Sequence, residues 1–421
     1  MTSITDNKNS TFINAAVIVA ALGYFVDIYD LLLFSIVRIK SLKSLGLTGT
    51  EITSQGEFII SMQMWGMLLG GIFWGILGDK KGRLSVLFGS ILIYSLANIA
   101  NGFVDSVSGY ALCRFIAGIG LAGELGAGIT LVTETLSKEK RGLGTMIVAS
   151  IGVSGAIMAN LVSKAVPDWR ICYFIGGGLG LLLLFLRVSV VESGMFKQIK
   201  ENEVSKGNFL ALFTDLGRLK KYFRCVLIGI PLWFVVGILI SFSPEFGKAL
   251  GIIGNIEPGT AVAYCYGGLV VGDIGSGLLS QWLKSRKKVM VIFLLLNALM
   301  VIIYLNAYNI SVNELYYLSF GMGVSVGFWV IFVTIAAEQF GTNIRSTVTT
   351  TVPNFVRGSL PILIILFKFI RHQFESVRGI QSDNIIWAGM ILAFFTIIVA
   401  FLALWKMKET FHEDLDYTES L

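Results

Sequence analysis

Gly75-Ile76-Leu77-Gly78-Asp79-Lys80-Lys81-Gly82-Arg83 decides how the rest of this chain is read. Long apolar runs flank it, at 57–78 and 84–103. A connection this short can only join two antiparallel membrane helices on one side of a bilayer. Its glycines let the two backbones approach closely. Its cations, Lys80, Lys81 and Arg83, bias it to the cytoplasm. Asp79 is a lone acid at the end of an apolar helix, where a charge must find a partner.

Composition extends that reading to the whole chain. Of 421 residues, 55% are hydrophobic and 14% charged, against about 25% charged in an ordinary soluble domain. Mean hydropathy is +0.76. The apolar runs are about 20 residues long, as membrane helices are, and lack the alternation over about 10 residues of barrel strands. Twelve spans are predicted: 14–37, 57–78, 84–103, 107–133, 143–165, 169–189, 222–246, 259–283, 288–307, 314–338, 347–370 and 384–406. The longest polar interruption, 190–224, separates six spans from six. The predicted fold is an all-α integral membrane protein of two six-helix bundles, 1–189 and 222–421, joined by a cytoplasmic linker at 190–221.

Most of the 33 Lys and Arg fall on the tails, the linker and the loops after even-numbered spans. That places both termini in the cytoplasm. The net charge of +6 is therefore a topology signal and not a nucleic-acid footprint. Residues 1–11 are polar and lack the basic region and cleavage site of a signal peptide, so the first span is expected to be retained. Cys113, Cys172, Cys225 and Cys265 stand singly, and His372 and His412 lie outside the apolar cores. No metal site or cofactor is expected.

The halves repeat. Glu134 and Arg141 follow span four, and Glu338 and Arg345 follow span ten, each pair 204 residues from its counterpart. A basic loop, Lys284-Ser285-Arg286-Lys287-Lys288, follows span eight, near where the repeat expects it. There Gln281 occupies the place of Asp79, so a charged latch is expected to be stronger in the first half.

Span one carries Asp27 and Asp30, three residues apart and so on one helix face. Two carboxylates at bilayer depth repel, which suits one of them to take up and release a proton. Span four carries Arg114 and, ten residues on, Glu124, about 15 Å along the axis and near mid-membrane. Glycines between them, Gly118, Gly120 and Gly123, thin one face for close packing. Span eleven reads Pro353-Asn354-Phe355-Val356-Arg357-Gly358-Ser359-Leu360-Pro361, two prolines around a second intramembrane cation. A solute carboxylate held between Arg114 and Arg357, beside Asn354, is one expectation, and a gating role for Arg357 the other. Trp233 and Trp329 are candidate cavity walls.

The opening stretch resembles the G-x-L-x-D-x-x-G-R loop between helices two and three of the major facilitator superfamily, with Gly78 before the aspartate. The helix-one acid pair, the run from Arg114 to Glu124 and the run from Glu134 to Arg141 resemble the metabolite–proton symporter branch, with Ala122 replacing a glycine and Ser137 a proline. More weakly, the DIYDLLLF segment at 27–34 is similar to the proteobacterial intraphagosomal amino-acid transporters. The resemblance implies a monomeric carrier in a bacterial inner membrane, importing a small polar solute by proton symport and alternating access. An amino acid is the solute it favours, with a carrier of nucleosides, organic acids, osmolytes or sugars, or a drug or metabolite exporter, as alternatives. It also implies gating roles for Gly75, Asp79, Gly82, Arg83, Glu134, Arg141, Glu338 and Arg345, and proton coupling at Asp27, Asp30 or Glu124.

Span five, with Gly152-Val153-Ser154-Gly155, lacks the Gly-Pro pair of drug antiporters, which favours uptake over export. A membrane enzyme would need a nucleophile motif or a histidine in the apolar core, and an ATP-driven pump a phosphate loop. The sequence supplies neither, leaving a non-transporting receptor on the same scaffold as the remaining competitor.

Overall fold

The computed structural model describes residues 15–81, 83–124, 126, 147–192, 209, 211–378 and 381–411. Gly82, Glu134, Arg141, the side chains of Asp79 and Arg83, and most of the expected linker lie outside the described residues. Among the described residues, ten helices are long and apolar enough to cross a membrane, and two shorter apolar helices, Ser85–Asn101 and Val107–Leu121, fall where spans three and four were expected.

In chain order these are α1 Ala15–Ser44, α2 Thr50–Lys81, α3 Arg83–Asn101, α4 Val107–Leu121, α5 Ile147–Ala165 and α6 Trp169–Glu192. The second six are α7 Leu216–Ile240, α8 Pro258–Leu283, α9 Arg286–Leu305, α10 Val312–Glu338, α11 Thr342–Gly358 continued by Leu360–Arg378, and α12 Gln381–Trp405. Helices α1 and α2 run further toward each other than the apolar runs predict. The charges that marked the expected limits, Arg38 and Glu57, are buried in ion pairs. A paired charge has no need to leave the helix for water.

Within the first half, α2 packs on α4, α3 on α4 and α6, and α1 on α5 and α6. In the second, α8 packs on α10, and α12 packs on α7, α9 and α11. The halves meet along α2–α11 and α5–α8, contacts that the six-helix repeat exchanges, with α1 against α8 between them. Helix α1 is apolar nearly all round, and 83% of its most apolar stretch is buried. That is the pattern of a helix enclosed by others.

Three helices of the second half depart from α geometry. Helix α7 carries Pro231 and then a π-helical segment, Val235–Ile240. Helix α10 stops at Ser325 and resumes at Trp329. Helix α11 carries Pro353 and is interrupted at Ser359. Proline removes a backbone donor and crowds the preceding turn, and π segments lodge an extra residue, so both redirect the side chains around them.

The loop after α8 turns on Lys284, whose φ of 49° is left-handed. Ser285 caps α9 by accepting the Lys288 N–H at 3.1 Å. The acid that Gln281 does not provide arrives here from the C-terminal tail. Glu409 accepts the backbone N–H groups of Arg286 at 2.9 Å and Lys287 at 3.2 Å, and bonds the Ser285 hydroxyl. Burial pushes the Glu409 carboxyl up, but those hydrogen bonds outweigh it and hold it below the usual carboxylate range.

Candidate functional site

The two faces of the bundle are named here by their turns, one at α1–α2 and the other at α2–α3. Between them, where the halves meet, lies a ladder of buried charges.

Arg357 stands at its middle, one turn beyond Pro353. Its guanidinium centre is 5.8 Å from the ring of Trp233 and 5.6 Å from that of Trp329. Both rings come from irregular backbone. Trp233 lies just before the π segment of α7, and Trp329 is the first residue after the break in α10. Across the interface the Asp27 Oδ2 is 3.9 Å from Arg357 Nη2. The Arg357 Nε and Nη1, both Asp27 oxygens and both indole Nε1 atoms have no hydrogen-bond partner. Asn354, one turn earlier, donates from Nδ2 to the Ala122 carbonyl at 2.7 Å, joining α11 to the end of α4.

Asp30 lies one turn along α1 toward the α1–α2 face. It is fully buried, without a hydrogen-bond partner, against Gly176 of α6, where a Cβ would collide with the carboxylate. Arg114 faces it but is held by neutral groups. It donates to Asn98, and to Asn101 at 3.3 Å, and lies 4.6 Å from the Tyr173 ring centre. Glu124 is engaged differently. Arg187 of α6 grips both its oxygens, at 3.1 Å on Oε2, and also donates to the Val19 carbonyl at 3.3 Å. The buried pair, with the bond to Val19, ties α6 to α1 and to the end of α4.

The α1–α2 face is closed by ion pairs between the halves. Arg38 binds Glu245 through two hydrogen bonds, 2.7 and 2.9 Å, and donates to the Ser241 carbonyl at 3.2 Å. Thr53 donates to Glu245 at 3.1 Å. Glu57 pairs with Lys368 at 2.7 Å and Arg371 at 3.8 Å. Lys164 pairs with Glu257 at 3.2 Å. A narrow cleft lined by Leu31, Gln63, Trp233, Val236, Ser241 and Leu360 lies between this closure and the Trp233 ring.

Toward the α2–α3 face, Gly75 packs α2 against α11, where an added Cβ would sit 3.1 Å from the Thr351 methyl. Glu338 pairs with Arg286 of the α8–α9 loop at 3.2 Å and accepts from Thr410 at 2.6 Å. Arg345 donates from Nε to the carbonyls of Ala337 at 3.0 Å and Phe340 at 3.2 Å, fastening the end of α10. Thus Glu338 and Arg345 each brace the second half at this face.

Sequence reading singled out Asp27, Arg357, Trp233 and Trp329 separately, and the fold brings them together. It overlooked Arg187, near the end of span six, and Asp273, an acid in the middle of span eight. It also overlooked Arg38 and Glu245, whose partnership across the interface leaves no local trace.

Two helical bundles with charges and aromatic rings buried between them, and one face closed by cross-bundle ion pairs, define a membrane solute carrier. The Major Facilitator Superfamily model matches residues 12–364, and the chain belongs to that superfamily. It is a multi-pass transporter of small metabolites and not an enzyme. It is 28% identical to a putative metabolite transport protein of Haemophilus influenzae, over 84% of this chain and 88% of that one. It is 33% identical to the niacin transporter NiaP of Acinetobacter baylyi, over 42% of this chain and 40% of that one. Among solved structures, the proton:xylose symporter XylE bound to a bromodeoxyglucose superposes with a TM-score of 0.72, at 16% identity, covering 95% and 97% of the two chains.

Proposed function

We propose that this transporter imports a small carboxylate-bearing solute together with a proton, and that the solute's carboxylate binds Arg357 between Trp233 and Trp329. The observation that carries this reading is the incompletely used guanidinium. Arg357 is buried, its Nε and Nη1 are unpartnered, and its one acid stands off at 3.9 Å. A planar carboxylate can take one edge of the guanidinium, Nη2 with either free donor, and flanking indoles suit a flat or apolar solute body. Niacin, for which the Acinetobacter relative is named, is an aromatic carboxylate of that kind.

Proton coupling follows from competition. A solute carboxylate on Arg357 displaces Asp27, which is then an unpaired buried acid. It becomes neutral by taking a proton, which forms an O–H bond on the carboxylate. Asp30, facing Arg114, is the second carrier on the same helix. Glu124 serves the scaffold while Arg187 holds it.

The basic α2–α3 loop sets that face in the cytoplasm, with both termini, and the membrane is the inner membrane of a bacterium. The α1–α2 ion pairs then close the outer side. Residues 1–189 and 222–421 are the rocking units, joined through 190–221, in a working monomer. Asp79, Gly82, Arg83, Glu134 and Arg141, with Gly75, form the opposing cytoplasmic latch of the outward-facing state.

An amino acid is the second reading. The unpartnered oxygens of Asp27 and Asp30 suit an ammonium group beside the carboxylate on Arg357. Proteoliposomes with an inward proton gradient separate the two. Labelled nicotinate is expected to accumulate, to leak out when a protonophore is added, and to lose more than tenfold in rate with Arg357→Gln. Accumulation of leucine but not nicotinate would replace the first reading by the second. Uptake of either that ignores the protonophore would remove proton coupling.

A further inference from the structure

Helices α8 and α10 touch where Gly272 meets Gly327. A Cβ on Gly327 would collide with the backbone of Gly272, and one on Gly272 would lie 2.8 Å from the Gly327 Cα. This contact coincides with the break in α10, and it brings the neighbouring Asp273 to the broken end. The Asp273 Oδ1 accepts the Val330 N–H at 3.2 Å. The ten-residue segment Trp329–Glu338 has no side-chain cap from its own Phe328, so its first turn is capped from another helix. Asp273 is 4% exposed, and its Oδ2 has no partner.

The charge is as informative as the cap. Among the described residues, Asp27 has Arg357, Glu124 has Arg187 and Asp30 faces Arg114. Asp273 forms no ion pair within 4.0 Å among them. The groups that face it are Tyr24 from α1 and the Trp329 and Val330 backbone from α10, and Tyr24 in turn faces Asp27 and Arg357. A lone buried carboxylate is costly unless it binds a cation.

We propose that Asp273 is a further proton-binding site of this transporter, in its second half, and that its proton sets the position of Trp329 over Arg357. The role given to Trp329 rests on the reading of Arg357 as the solute site, whereas the proton site itself does not. When ionised, Asp273 accepts the N–H groups that open the segment, and the positive helix end stabilises its charge. When a proton bonds to Oδ2, the charge is gone and the cap is weakened. The first turn then loosens, and Trp329, its first residue, shifts from the guanidinium. Protonation in the second half is thereby felt at the solute site.

The test is intrinsic tryptophan fluorescence of the purified transporter, titrated with pH and without solute, so its outcome does not depend on which solute is carried. The wild type is expected to show a step that Trp329→Phe removes, Asp273→Asn abolishes and Asp27→Asn retains. Asparagine still accepts the Val330 N–H through its oxygen, so the segment keeps its cap. Persistence of the step in Asp273→Asn, or a wild type with no Trp329-dependent step, overturns the proposal. Should Asp273→Asn not fold, Asp273→Glu is expected to move the midpoint, and an unmoved midpoint overturns it equally.

Discussion

Helix α4 ends at Leu121, and the first segment of α10 ends 204 residues later at Ser325. The interval is the one that separates Glu134 from Glu338. Past the first break, Glu124 is held by Arg187, and the pair fastens three helices of the first half. At the break in α10 the acid comes from the neighbouring helix, as Asp273, and meets a backbone N–H with no arginine in ion-pair range among the described residues. Near these two helix ends an acid is thus held by a closed ion pair in one half and serves as a cap in the other. A closed pair ties helices together, whereas the lone cap leaves one carboxylate oxygen open. The halves share a scaffold while dividing rigidity and responsiveness between them.

Arg187→Ala strikes the rigid side hardest. It leaves Glu124 buried and unpaired, for an expected loss of about 3–5 kcal/mol, read as a fall in the unfolding midpoint in detergent. Arg187→Met with Glu124→Leu should recover most of it. A single variant as stable as the wild type would erase the distinction between the halves. Next comes Gly327→Ala, whose Cβ meets the unyielding backbone of Gly272, at about 1–3 kcal/mol. Its counterpart Gly123→Ala meets the side chains of Ser90, Trp74 and Val86, which can shift, and should cost less. Equal costs would mean that the two breaks are packed alike.

Smaller still in stability is Glu409→Ala, which removes the cap on α9 for about 1 kcal/mol. Its folded pKa is depressed, so this contribution is present at neutral pH and fades as the pH falls through that depressed value. Melting curves of wild type and variant should therefore converge in acid, and curves that stay parallel would deny the cap its charge. Least disruptive to the fold is Asp30→Asn, although it reaches furthest into function. Concentrative uptake should vanish while solute exchange survives, because a neutral mimic still lets the halves rock. Accumulation at wild-type levels would remove Asp30 from the coupling and leave the proton duty with Asp27.

Much of this was visible before any coordinates. The loop at 75–83 gives the hairpin, the apolar runs give the helices, and the 204-residue interval gives the repeat. Asp27, Asp30 and Arg357 announce themselves, because a charge in a long apolar run is too costly to be idle. Partnership is what a single sequence hides. Arg38 and Glu57 read as ends of spans because their partners, Glu245 and Lys368, are about 200 to 300 residues away. Arg187 draws no notice because it stands three residues before the polar stretch at 190–224. Asp273 sits among glycines, and its capping role depends on a break in α10 that the apolar run of 314–338 does not betray.

The ion pairs on the α1–α2 face differ in how much water they see. The side chains of Lys164 and Glu257 are 49% and 51% exposed, while those of Arg38 and Glu245 are 0% and 17%. Dissolved salt screens exposed charges over a Debye length of about 10 Å at 0.1 M and hardly reaches buried ones. A rise in salinity on that side therefore loosens the rim and stops there. The deeper clasp keeps the same grip in dilute and in salty surroundings, so the closure of that face is insulated from ionic strength.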